Sequence, residues 1–154
     1  MNALLPWIGL ALRAYVGGYF ILAAVPKMVE PLAFATSIAH YGILPSWAVN
    51  ASALVLPWLE IICGILLVIG HRVRLNALLT GLMLLVFTAA VAYAVVLGLK
   101  IDCGCFGSQG GDEVSWWKVG KNTLMMLICV FLWKWPQTAL SVETGTGLGR
   151  SKPA

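Results

Sequence analysis

Two cysteines separated by a single glycine are the residues of this chain best suited to chemistry. Cys103 and Cys105 lie in its one long polar loop, from Leu99 to Ser115. A disulfide needs Cα atoms about 4.4–6.8 Å apart, and Gly104 permits the turn that this requires because glycine tolerates positive φ. The small ring would be strained, and strained, exposed disulfides are the catalytic or regulatory ones. The spacing therefore predicts a redox-active dithiol that reacts through a mixed disulfide.

Two other uses of this pair remain open. Two thiolates also suit a soft metal ion such as Cu(I) or Zn²⁺, and the disulfide could serve only to shape the loop. The charged neighbours oppose one another, since Lys100 and Lys118 would favour a thiolate whereas Asp102 would disfavour it. The chain has no Cys/His set with zinc-finger spacing, so we expect no metal site unless Cys103 and Cys105 form it.

Two charged residues interrupt long apolar stretches. Arg13 and Glu60 would each cost at least about 2.5–3.5 kcal/mol inside a membrane, so each should face the protein interior and have a partner. We expect them to pair with each other as a buried polar site that relays a proton or binds a quinone head group. The alternative is an ion pair that only fixes helix packing. Lys27, after Pro26, either anchors a helix end by snorkelling or lies near the cysteine loop.

The other two cysteines lie in apolar segments. Cys63 and Cys129 are interpreted as small hydrophobic side chains, and a second dithiol relay is the alternative. Asn122, either Met125 or Met126, and Cys129 share one helical face, which we interpret as packing.

The composition requires that these residues be positioned by membrane helices. Of 154 residues, 60% are hydrophobic and 10% are charged, against about 25% charged in a soluble domain. This excludes a disordered protein, a nucleic-acid binder and a typical soluble enzyme. Four stretches reach the roughly 20 apolar residues that a bilayer requires. They are Leu4–Val25, Ser46–Ile69, Leu75–Gly98 and Trp116–Trp135.

The predicted fold is therefore all-α, an integral membrane four-helix bundle. Arg13 interrupts the first stretch, and no positively charged n-region precedes it, so we expect a retained span and not a cleaved signal peptide. The segment Pro31–Leu44 is too short to span and predicts a short interfacial helix. The membrane domain is assigned to 1–136, and the polar tail 137–154 is expected to be disordered.

Orientation follows from the positive charges of the loops. The tight turn that carries Arg72 and Arg74 favours the cytoplasmic side. Both termini would then be cytoplasmic, and the Cys-Gly-Cys loop would be periplasmic, where disulfide chemistry is at home. We expect a multi-pass protein of the bacterial inner membrane.

The chain resembles the MauE/DoxX-like family of redox-associated membrane proteins from about Leu10 to Trp133. Lys27 follows the first of the four motifs that carry the resemblance, and Ala23-Ala24 departs from the family where a glycine commonly stands. The motifs are Arg13-x-x-x-Gly17-x-x-Phe20, Pro57-x-x-Glu60-x-x-x-Gly64-x-x-Leu67-x-x-Gly70, Asp102-Cys103-Gly104-Cys105-Phe106-Gly107 and Ser115-Trp116-Trp117-Lys118-x-Gly120-x-Asn122.

The resemblance implies a four-helix membrane domain tied to thiol-disulfide traffic. MauE proteins are linked to maturation of the methylamine dehydrogenase small subunit, often beside a thioredoxin-like partner. We thus expect a thiol-disulfide oxidoreductase that uses Cys103 and Cys105, with a periplasmic thioredoxin-like or exported client protein as partner. The supporting residues would be Lys27, Asp102, Gly104, Phe106, Lys118 and Asn122.

Two other function classes compete with this one. The first is a soft-metal binding or transport protein, and the second is a non-catalytic assembly factor that docks a client. The sequence has no nucleotide fingerprint and no haem-attachment motif. A redox function would therefore need either a partner protein or a bilayer quinone as electron partner, with no covalently bound cofactor.

Overall fold

The chain folds into α-helices, as the sequence predicts. A computed structural model describes residues 4–99, 101 and 114–136, and it contains no strand in those ranges. Helix α2 lies within the segment predicted to form a short interfacial helix. The helices are α1 Leu5–Val29, α2 Pro31–His40, α3 Ser46–Ile69, α4 Val73–Val96 and α5 Trp116–Lys134.

Three helices are long and apolar enough to cross a membrane. They are α1, α3 and α4, and in length and composition they match three of the four predicted spans. Helix α5 forms where the fourth span is predicted, but it has only 19 residues and is not one of the three. Lys118, Lys121 and Asn122 in its first two turns lower its mean hydropathy.

The four long helices pack in an antiparallel ring. Helix α1 contacts α3, α3 contacts α4, α4 contacts α5, and α5 contacts α1. Helix α2 lies outside this ring against α3 and α1. We call the end where α4 finishes and α5 begins the loop end, and the end where α3 meets α4 the turn end. The C-terminus of α1 and the N-terminus of α3 also lie at the loop end.

The turn end is closed by a glycine and an asparagine. Gly70 adopts a φ of 79°, and the His71 N–H donates to the Leu66 carbonyl at 3.0 Å. The Asn76 side-chain amide donates back to the His71 carbonyl at 2.6 Å. The sequence prediction of a tight turn after Ile69 is confirmed.

Helix α1 continues through Pro26, beyond the predicted end at Val25, and finishes at Val29. A proline removes one backbone donor, and a membrane helix tolerates this where neighbouring helices support it. Because the helix continues, Lys27 falls on the same face as Phe20, Ala23 and Ala24, all of which are buried. Lys27 is therefore an interior residue, and the snorkelling interpretation of it is wrong.

Candidate functional site

A buried ion pair joins α1 to α3. The Lys27 ammonium Nζ lies 2.7 Å from Glu60 Oε1 and 2.8 Å from Oε2. The two side chains are only 5% and 14% exposed. Charges this deeply buried are costly unless they are paired and hydrogen-bonded, and here each charge directly satisfies the other.

The predicted pair between Arg13 and Glu60 is wrong. Gly17 of α1 faces Gly64 of α3, so Arg13, four residues earlier, lies level with Val68 near the turn end. At 1.5 Å rise per residue this is about 12 Å beyond Glu60. Arg13 is buried, with 1% of its surface exposed, but it lies in a different part of the interior from the ion pair.

Side-chain direction explains how Lys27 reaches Glu60. From the Gly17–Gly64 contact, Lys27 lies ten residues towards the loop end and Glu60 only four, a difference of about 9 Å along the axes. Helical side chains lean towards the N-terminus of their own helix. In antiparallel helices the two side chains therefore lean towards each other, and the long lysine side chain covers the remaining distance.

Helix α2 covers this ion pair on one side. The Phe34 ring lies with its centroid 5.0 Å from Lys27 Nζ, a cation–π distance. Phe34 and Ala35 are buried against Val49 and Ala53 of α3. The short helix therefore helps to enclose the ion pair, and it depends on α3 for its own packing.

A small, partly open cavity adjoins the ion pair between the four long helices. Its volume is about 40 Å³, and all four long helices contribute to its wall. The charged and amide side chains of the wall are Lys27, Glu60 and Asn122. The remaining residues of the wall are Tyr19, Phe20, Ala23, Met83, Leu84 and Phe87.

Asn122 packs on the buried face of α5 and also borders the cavity. It lies on the buried face of α5 together with Met125 and Cys129, so the predicted packing face is confirmed. Asn122 itself is only 4% exposed, and its Nδ2 is buried with no hydrogen-bond partner within the described parts of the chain. Because Asn122 also borders the cavity, its amide donor is available to a polar occupant.

The predicted redox residues lie outside the described residues. This applies to Cys103 and Cys105 and to the supporting Asp102, Gly104 and Phe106. Both flanks of the segment 102–113 are described, and the Val114 N–H donates to the Ile101 carbonyl at 3.0 Å. Ile101 and Val114, which flank this segment, therefore lie together at the loop end. Lys118, which is described together with the supporting residues Lys27 and Asn122, lies in the first turn of α5.

The remaining two cysteines behave as apolar side chains. Cys63 and Cys129 are buried free thiols, and Cys129 belongs to the core cluster that contains Val16, Leu67 and Met125. Within residues 4–99, 101 and 114–136, no group of three His, Cys, Asp or Glu side chains could hold a metal ion.

Sequence reasoning named Lys27 and Glu60 separately but missed that they pair. The available signal was the spacing of Phe20, Ala23 and Lys27 at i, i+3 and i+7. This places the lysine on the buried face once the helix is continued through Pro26. Ending the first span at Val25 hid that signal.

Comparison with known proteins identifies a family. A family model described as methylamine utilisation protein MauE matches residues 5–134. The methylamine utilization protein MauE of Paracoccus denitrificans is 33% identical over 150 residues, which cover 97% of this chain and 74% of the relative. No solved structure matches the chain.

Two other relatives with the same name match over shorter stretches. The protein of Methylorubrum extorquens is 33% identical over 79% of this chain and 66% of its own length. The protein of Paracoccus versutus is 33% identical over 78% of this chain and 65% of its own length. The chain thus spans about two thirds to three quarters of the length of these relatives.

Proposed function

Because this chain belongs to the MauE family, we propose that it is a membrane protein of methylamine utilisation that exchanges disulfides through Cys103 and Cys105. Its partner is a thioredoxin-like protein or an exported client of the periplasm, and its role is maturation of the methylamine dehydrogenase small subunit. Three helices able to cross a membrane support the membrane location.

The observation that carries this proposal is the contact between the two residues that flank the cysteines. The Val114 N–H donates to the Ile101 carbonyl at 3.0 Å, and this bond holds the two flanking residues together at the loop end. Leu99, Ile101 and Val114 pack there against buried Val91 and Ala94. We therefore expect a partner that reacts with Cys103 and Cys105 to approach the protein at the loop end.

The topology that we propose has four spans. Helix α5 is the fourth span, and its polar first turns lie near the membrane–water interface at the loop end. Helix α2 lies at the same interface. The turn end, with Arg72 and Arg74, is cytoplasmic together with both termini. The loop end is then periplasmic, on the oxidising side of the inner membrane.

The reaction is a balanced thiol-disulfide exchange. A thiolate of the Cys103/Cys105 pair attacks a partner disulfide, forming a mixed disulfide and releasing one partner thiolate. The second cysteine attacks the mixed disulfide and releases the other. The pair becomes oxidised as the partner disulfide becomes a dithiol, and the reverse sequence oxidises the partner. No further oxidant takes part in the exchange itself.

The predicted quinone stays a prediction. The cavity of about 40 Å³ is much smaller than the roughly 150 Å³ cavity that accepts benzene. A quinone would therefore have to meet the protein at its lipid-facing surface. The Lys27–Glu60 cavity in this conformation does not have the volume for its ring.

The test is thiol trapping in intact cells grown on methylamine. We expect a membrane-impermeant maleimide to label Cys103 and Cys105 only after mild reduction. We expect Cys103→Ser and Cys105→Ser each to abolish growth on methylamine, and one of the two variants to trap a mixed disulfide on the cysteine that remains. Full growth of the Cys103→Ser/Cys105→Ser double variant would overturn the proposal.

Matched controls come from the two buried cysteines. Cys63→Ala and Cys129→Ala remove thiols from the helix interior without touching residues 102–113. Both should keep growth and the trapping pattern. If they abolished growth while membrane levels stayed normal, the working thiols would lie in the helices, contrary to the proposal.

A further inference from the structure

We infer that the cavity is a hydrated site in which two or three water molecules join the amide of Asn122 to the Lys27–Glu60 pair. The Glu60 carboxylate would thereby exchange protons with water from inside the helix ring. This inference concerns only described residues and does not require chemistry at the cysteines.

The volume favours water as the occupant. One water needs about 10–15 Å³ of space measured in this way. The cavity offers about 40 Å³, which is enough for about three waters and too little for an aromatic ring. A cavity with only apolar walls would stay dry, but the polar side chains of Lys27, Glu60 and Asn122 border this one.

The polar atoms also match the needs of water, which takes two to four hydrogen-bond partners in a buried site. The Asn122 amide nitrogen has two donor hydrogens and no partner within the described residues. Lys27 Nζ has three donor hydrogens and contacts two oxygens of Glu60. Each Glu60 oxygen keeps a further lone pair, so donors and acceptors are both available to water.

Glu60 is the acid of this site. Helix α1 contributes Lys27 and the Tyr19 phenol, and α4 contributes only Met83, Leu84 and Phe87. Helix α5 contributes the neutral Asn122 amide, with Lys121 placed over the outer Tyr19 ring at 4.9 Å. Helix α2 contributes the Phe34 ring against Lys27. Among the residues that the structure describes, a proton that enters through the water therefore meets one carboxylate, that of Glu60.

A hydrated carboxylate in the loop-end half of the ring would suit the proposed function. In thiol-disulfide exchange each attacking thiol must first lose a proton, and each released thiolate takes one up to become a thiol. Hydration of the site is tested without the cysteines. Its failure would leave the thiol-trapping result unaffected, and failure of thiol trapping would leave the hydrated site intact.

The test is infrared spectroscopy of the full chain in lipid nanodiscs, with D₂O as the probe. On acidification we expect a protonated carboxyl band that is absent in Glu60→Gln and that shifts when D₂O is mixed in. Asn122→Leu fills the space and removes the donor. It should slow this exchange about tenfold, the scale of one lost hydrogen bond.

Two further variants keep the test decisive. Met125 lies on the same buried face of α5, one turn further on. In the Met125→Leu variant the proton of the Glu60 carboxyl should exchange as fast as in the parent chain. Asn122→Ser keeps a donor and enlarges the space, so its exchange should stay fast. The inference is overturned if no Glu60 band appears at any pH, if Asn122→Leu matches Met125→Leu, or if Asn122→Ser is slow.

Discussion

Gly17 and Gly64 bring the backbones of α1 and α3 into direct contact. A Cβ atom on Gly17 would lie 2.7 Å from the Gly64 carbonyl oxygen, and one on Gly64 would lie 2.8 Å from the Gly17 carbonyl oxygen. Small residues at such a contact are what let membrane helices approach closely. The contact fixes the register of the two helices, and that register places Lys27 within reach of Glu60 and leaves Arg13 near the turn end.

Gly17→Ala should therefore destabilise the fold. The added methyl group meets a backbone oxygen and the Val68 side chain, both at 2.7 Å, and the helices must separate to accept it. Overpacking of this kind costs about 1–3 kcal/mol. Thermal unfolding in one detergent would measure the loss as a lower Tm.

The neighbouring glycine provides the control. A Cβ on Gly18 would meet no atom within 4 Å. Gly18→Ala should therefore raise the stability by up to about 1 kcal/mol, because alanine is the better helix former. Equal Tm values for Gly17→Ala and Gly18→Ala would show that the close contact does not govern the packing.

Much of this arrangement could be predicted from sequence patterns that each lie within a single segment of the chain. Apolar runs long enough for a bilayer predict α1, α3 and α4, and Gly70 with the following Arg72 predicts the tight turn between the last two. The buried face of Asn122 and Cys129 follows from helical spacing. Each of these depends on the period or length of a single segment.

The pairing of charges could not be predicted in the same way. It depends on the register between α1 and α3, which the Gly17–Gly64 contact sets and which no single segment reveals. Ending the first span at Val25, directly before Pro26, follows the rule that a proline interrupts a helix in a soluble protein. That rule fails here because the helix runs on to Val29, and Lys27 is carried inside with it.

Lys27 and Glu60 should show strong energetic coupling. Lys27→Met or Glu60→Met alone leaves a buried charge without its partner, and each should cost about 3–5 kcal/mol of unfolding free energy. The double variant, which removes both charges, should cost much less than the sum of the two. Unfolding of all three variants in a double-mutant cycle would measure the coupling directly.

Arg13 should show no such coupling to Glu60. The two residues are separated by about 12 Å along the helix axes. When two sites are more than 7–10 Å apart, the changes in unfolding free energy caused by their substitutions usually add to within about 0.5 kcal/mol. An Arg13→Met and Glu60→Met cycle should therefore be additive, whatever Arg13→Met costs alone. A coupling between Arg13 and Glu60 as large as that between Lys27 and Glu60 would support the Arg13–Glu60 pair predicted from the sequence and would contradict the arrangement in the structure.

The number of spans fixes the side on which the C-terminus lies. With α5 as a fourth span, the ends of the chain before Leu5 and after Lys134 should both lie in the cytoplasm. With only α1, α3 and α4 spanning, the two ends would lie on opposite sides. Alkaline phosphatase, active outside, and a fluorescent protein, active inside, should be fused in parallel after Trp135. High phosphatase activity there would contradict the four-span topology.

Phe34 should stabilise the ion pair through the face of its ring. Phe34→Leu keeps an apolar side chain in the cluster with Val49 and Ala53 but removes the ring that lies 5.0 Å from Lys27 Nζ. A desolvated cation–π contact contributes up to about 2 kcal/mol, so we expect a loss of about 1–2 kcal/mol in unfolding free energy. Ile38→Leu, a change in a residue packed on the same cluster, should cost less because it removes no ring.

The cationic partner of that ring can be tested separately. In a Lys27→Met/Glu60→Met background the ring faces no cation, so Phe34→Leu should cost only its packing difference, close to that of Ile38→Leu. An undiminished cost in that background would mean that Phe34 acts through shape alone. In that case α2 would be held by apolar contact with α3, and the charge of Lys27 would contribute nothing to its position.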